Sequence, residues 1–195
     1  MYHSVRVSIL TLVTLVLACP TGLTAQQDSS PERLPVYDEA ADAGADIAAA
    51  LAVAARKNKR VLIQWGGNWC GWCIKLHDLF RTDRTIARKI LYEYEVVTVD
   101  IGRWDKHLDL VERYGADIQG SGVPYLTVLA ADGSVLANQD TGSLEEGDHH
   151  DPALVLDFLE THQAPYPEAE ALLANALDRA GREDKRLFLT FGAPT

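Results

Sequence analysis

The chain has 195 residues, of which 47% are hydrophobic and 24% charged, and its formal net charge is −10. This is the composition of a globular protein, not of a disordered or fibrous one, with room for one domain and appendages or two very small domains. The acidity excludes an ordinary nucleic-acid binder, which needs a basic stripe to displace counterions, and otherwise bears on solubility alone.

The N-terminus reads as a targeting segment. Arg6 supplies a positive start, and the apolar stretch Val7–Ala18 is too short to span a bilayer and has the length of a signal-peptide core. A signal peptide over residues 1–25 would be cleaved after Leu23-Thr24-Ala25, although Leu is bulky for that site. The alternative is a lipobox, Val16-Leu17-Ala18-Cys19, with a lipid anchor on Cys19; Pro20 directly after that cysteine is unusual for it. Both readings export the protein, to a periplasm or beyond.

Residues 26–39 are polar, contain Pro31 and Pro35, and are expected to form a linker. From Ala40 to Asn58 an Ala-rich helix carries Ile47, Leu51 and Ala54 on one face and basic residues at its end, where cations suit the helix dipole. Val61–Trp65 is a buried strand, and a helix is expected from Gly71 to about Leu91 with Leu76, Leu79, Phe80 and Ile90 inward. Glu95–Asp100 is a second strand, and Lys106–Tyr114 is a helix. Tyr125–Ala130 and Ser134–Asn138 form a hairpin about Asp132-Gly133, and Pro152–His162 is an amphipathic helix. Residues 142–151, rich in acids and containing His149 and His150, read as a solvated insertion. The order predicts an α/β fold, a mixed sheet covered by helices on both faces.

Trp69-Cys70-Gly71-Trp72-Cys73 sits at the junction of the first strand and the following helix. The first cysteine is at a helix N-terminus, where free N–H groups and the macrodipole favour a thiolate; the second lies one turn inside, placed to attack a mixed disulfide. With Cys19 in the export segment, the domain holds only these two cysteines. A structural zinc site normally needs four ligands, and no second Cys or His pair has suitable spacing; distant histidines such as His149 and His150 are the alternative that would complete one. A purely structural bridge over so short a loop would remove little chain entropy. Thiol–disulfide exchange is therefore the expected chemistry, with no metal and no bound organic cofactor.

These motifs, with Gly122-Val123-Pro124 ahead of the hairpin, resemble the thioredoxin family over roughly residues 40–163. The resemblance implies a three-layer thioredoxin-like sandwich in which Cys70 and Cys73 are catalytic. It also implies a cis Pro124 beside the disulfide and a Val123 backbone that binds the substrate chain. Trp69 and Trp72 are expected to form an apolar rim that grips protein or peptide substrates. Two departures stand out: the family's buried Asp, six residues before the first cysteine, is Gln64 here, and its nearby Lys falls near Val96. Gln64 cannot titrate, so proton transfer needs water, Cys70 or another group, and His77 is the nearest candidate, the alternative being a helix residue with no such part. The partners implied are protein or peptide thiols and disulfides, with a membrane electron carrier if the protein is a reductase; oxidase and isomerase activities remain open because potential sets direction. The alternative from another class is a redox-inert peptide-binding or adaptor module.

A shift of 126 residues aligns Ala50–Gly66 with Ala176–Gly192, with seven of seventeen positions identical, from Ala50/Ala176 to Gly66/Gly192. Residues 164–195 are thus expected to be a helix and strand opening a second thioredoxin-like repeat in a truncated tandem protein, a C-terminal stump whose apolar strand is 187–191. Chance similarity between two generic helix–strand units is the alternative.

Overall fold

Four strands make the central sheet of the computed structural model, which describes residues 34–166 and 168–190. They are β1 (Arg60–Gly66), β2 (Tyr94–Asp100), β3 (Tyr125–Leu129) and β4 (Val135–Asp140), in the order β2-β1-β3-β4. β1 runs parallel to β2 and antiparallel to β3, and β3 pairs antiparallel with β4. The helices are α1 (Ala43–Lys57), α2 (Gly71–Thr82), α3 (Arg84–Glu93), α4 (Leu108–Tyr114), α5 (Ile118–Ser121), α6 (Pro152–His162) and α7 (Ala169–Arg182). The expected export segment with Arg6 and Cys19, and the expected linker up to residue 33, lie outside the described residues.

The alternation along β1 explains the layers. Successive side chains of a strand point to opposite faces. Val61, Ile63 and Trp65 pack with Ile47 and Ala54 of α1, Val111 of α4 and Ile118 of α5. Leu62 faces the other way, with Leu76 and Phe80 of α2, Ile86 of α3, and Phe158 and Leu159 of α6. Helices therefore cover both faces of a mixed sheet, the thioredoxin-like sandwich expected from the sequence. Ile47, Leu76, Ile86 and Leu159 are fully buried or nearly so, and burial of each such side chain contributes about 1.5–3 kcal/mol.

The structure departs from the sequence expectations in four places. The helix expected over 71–91 is two helices, because Asp83 turns extended and its carboxylate caps α3 by accepting from the N–H groups of Thr85 and Ile86, each at 2.9 Å. Ile86 becomes the fully buried residue of that helix, and Ile90 is only partly buried. The segment read as a solvated loop is a turn followed by a small hairpin, β5 (Glu145–Glu146) with β6 (His149–His150), and His150 is buried. Tyr37, assigned to the linker, is fully buried. Finally, α7 forms as expected, but residues 187–190 adopt no strand, and nothing from 168 to 190 is buried; Phe188 is 87% exposed. A lone helix and one strand cannot cover their own apolar faces.

Candidate active site

The site is assembled where β1 ends. Gly67, Asn68 and Trp69 lead from the strand to Cys70, which stands in extended conformation as the N-cap of α2. Its sulfur is bonded to that of Cys73, with Cα atoms 5.2 Å apart, and accepts from the Cys73 N–H at 3.1 Å. The Cys73 N–H of the first turn of α2 points at the Cys70 sulfur, and a helix N-terminus lowers a thiol's pKa once the bridge is opened. Cys73 is fully buried, whereas Cys70 retains 7% exposure, so an incoming thiolate reaches Cys70 first.

Opposite the bridge lies the loop before β3. The Val123–Pro124 peptide is cis, as expected, and the Val123 carbonyl oxygen is 3.5 Å from the Cys70 sulfur. In the disulfide that sulfur has no hydrogen to give, so the contact is a packing one; a reduced Cys70 thiol has an acceptor waiting. Thr141, buried at the end of β4, donates its hydroxyl to the Pro124 carbonyl at 2.5 Å and ties this loop to the sheet. Sequence reading missed Thr141, since a threonine after a strand carries no distinguishing pattern.

Behind the bridge is a polar pocket that the sequence did not reveal. The Gln64 amide donates to the Cys73 carbonyl at 2.9 Å and to the Tyr37 hydroxyl at 2.7 Å. Asn68 holds the Tyr37 backbone from both sides, accepting from its N–H at 3.0 Å and donating to its carbonyl at 2.8 Å. The Thr98 hydroxyl donates to the Val36 carbonyl at 3.0 Å. Tyr37, Cys70 and Cys73 form a buried cluster of their own, against which Trp72 and Val123 pack. Burial raises the Tyr37 pKa far above the ordinary phenol value, so its proton stays in place.

The two tryptophans diverge. Trp69 is half turned to solvent; its indole N–H donates to the Gly102 carbonyl at 2.6 Å, and its ring lies 5.9 Å from that of Trp104 with the Arg103 guanidinium 5.3 Å away. Trp72 is clasped from two sides, by the His150 ring edge-on at 5.2 Å and by the Lys75 ammonium over its face at 4.5 Å. Lys75 also donates to the Asp148 carbonyl, so the β5–β6 hairpin is latched to the active-site helix. Nearby, buried Asp100 is paired with Lys106 at 2.9 Å, and this hydrogen bond raises the Lys106 pKa. His77 is half-buried, with its pKa lowered first by burial and then by Arg81. Among the described residues no hydrogen bond joins it to either sulfur, and no group of three or more His, Cys, Asp or Glu stands where it would hold a metal ion.

Residues 42–131 match a family model described as thioredoxin-like. The disulphide isomerase of Xylella fastidiosa Temecula1 is 32% identical; the match covers 65% of this chain and 95% of that one, with a TM-score of 0.58. The chain belongs to the thioredoxin-like family. Two further solved structures are similar to this thioredoxin-like protein at lower identity. A DsbH oxidoreductase is 22% identical over 59% of this chain and 79% of its own, with a TM-score of 0.45. The oxidised C-terminal domain of Neisseria meningitidis DsbD is 18% identical over 63% and 97%, with a TM-score of 0.46. No curated protein matches the chain. Within the family frame, Gln64 stands where the resemblance places a buried acid, and the groups gathered around it are Tyr37 and the Cys73 carbonyl.

Proposed function

We propose that this thioredoxin-like protein is an exported oxidoreductase that exchanges disulfides with protein or peptide substrates through Cys70 and Cys73. The carrying observation is the difference between the two sulfurs: Cys70 is at the helix N-terminus and reachable, and Cys73 is sealed beneath it. A substrate thiolate attacks the Cys70 sulfur, the bridge breaks, and Cys73 departs as a thiolate. In the reducing sense the Cys70 thiolate attacks a substrate disulfide and expels one substrate thiolate; Cys73 then attacks the Cys70 sulfur of the mixed disulfide, the bridge re-forms, and the second substrate sulfur leaves as a thiolate. The Val123 backbone beside cis Pro124 aligns the substrate chain, and Trp69, with Trp104 beside it, offers the apolar rim. Trp72 has a narrower part than a substrate grip, since His150 and Lys75 already occupy it. Export rests on Arg6 and the apolar run that follows, with cleavage after Ala25. Kinship with a protein named a disulphide isomerase favours rearrangement of substrate disulfides over their net formation.

Replacing Cys73 with Ala tests the exchange chemistry. An enzyme that turns over accumulates mixed disulfides through Cys70, resolved on a non-reducing gel and absent from the Cys70→Ser, Cys73→Ala double variant. An adaptor with an inert bridge traps nothing, and that outcome refutes the proposal.

A further inference from the structure

We infer that the Tyr37 hydroxyl is the hydrogen-bond donor that receives the Cys73 thiolate when the bridge opens, filling the place that a titrating acid would otherwise hold. The space between β1 and α2 argues for it. A Cβ built on Gly66 would lie 2.5 Å from the Tyr37 hydroxyl oxygen and 2.6 Å from the Cys73 sulfur. Both groups therefore crowd one point, and they are separated by no more than about 5 Å. Glycine at this position puts no side chain between phenol and sulfur.

The hydrogen-bond inventory supplies the donor. The Gln64 amide spends both its hydrogens, one on the Cys73 carbonyl and one on the Tyr37 oxygen. The phenol oxygen accepts there, and among the described residues nothing takes its own hydrogen. A buried donor without an acceptor is costly. The sulfur of Cys73 becomes that acceptor only after reduction: attack of a substrate thiolate on Cys70 forms the mixed disulfide, and the electron pair of the broken S–S bond goes to Cys73. The proton remains on the phenol, whose pKa lies far above that of a thiol, so Tyr37 stabilises the anion without protonating it. Tyr37 is positioned for this by its backbone bonds to Asn68. The charged group that acts on Tyr37 there is Asp100, itself paired with Lys106.

The part Tyr37 plays in turnover rests on the exchange chemistry proposed above; the hydrogen bond itself needs no substrate and is tested without one. In reduced protein, the Cys73 Cβ carbon shift followed against pH by NMR gives its titration directly. Tyr37→Phe keeps the ring and removes the donor. A hydrogen bond to a charged group of ordinary strength predicts a rise of about one pKa unit or more for Cys73, a roughly tenfold loss of thiolate at fixed pH. A purely structural Tyr37 would change thermal stability and leave that titration in place, which overturns the inference. Should Tyr37→Phe not fold, the wild-type Tyr37 Cζ shift decides: it moves in step with Cys73 ionisation if the bond forms, and a flat profile refutes it. Failure of the exchange chemistry itself shows elsewhere, in a Cys73→Ala variant that traps no substrate.

Discussion

Acid should loosen the latch over Trp72, and His150 is the group through which it acts. Its side chain is 1% exposed, and neither ring nitrogen has a hydrogen-bond partner among the described residues. Burial, then the nearby Lys75 and His149 charges, push its pKa down from 6.5 to about 4. Above the unfolded-state pKa the histidine is neutral in both states and costs nothing. As pH falls below it, the unfolded chain takes up a proton that the folded chain refuses, and stability is lost until the folded pKa is passed. Between about pH 7.5 and about pH 5 this amounts to roughly 2 kcal/mol. The Glu145 carboxylate, 4.0 Å from the ring, opposes the effect, but burial raises its own pKa and it gives up its charge early on acidification. His150→Phe keeps a ring against Trp72 and cannot titrate. Urea unfolding of both proteins at the two pH values isolates the term: wild type should lose about 2 kcal/mol more than the variant on acidification. Equal losses would refute the reasoning, whatever the absolute stabilities.

Two further outcomes follow from the same structure. Thr141→Val keeps the side-chain shape but strands the buried Pro124 carbonyl, at a cost of about 1–2 kcal/mol in denaturant unfolding; the loosened Val123 carbonyl should also raise KM for a peptide disulfide more than it lowers kcat. Amides of residues 186–190, unpaired in any sheet, should exchange with solvent far faster than those of β1, and protection equal to β1 in a dilute monomer would mean that this segment does dock.

The fold was readable from sequence because its signals are local. Strand β1 announces itself by the apolar Val61, Leu62, Ile63 and Trp65, broken only at Gln64, the Asp132-Gly133 turn fixes the hairpin, and Cys70 and Cys73 carry their spacing with them. Even the split of α2 from α3 was present in Asp83, whose carboxylate competes for backbone N–H groups; a periodicity count passes over it because the apolar face continues across the break. The site's second layer is different in kind. Tyr37 lies among polar residues and prolines, and only the return of Val36 to the edge of β2 through Thr98, with the Asn68 clasp, turns a linker residue into the floor of the redox pocket. Such contacts span 31 or more residues and leave no period to detect. What the sequence does expose is the missing acid: Gln64 cannot titrate, so proton transfer at Cys73 needs water, Cys70 or another group. Helical spacing points to His77, one turn after Cys73. Across space the Tyr37 phenol, brought from before the first helix, comes within about 5 Å of the Cys73 sulfur, and Gly66 leaves room for it.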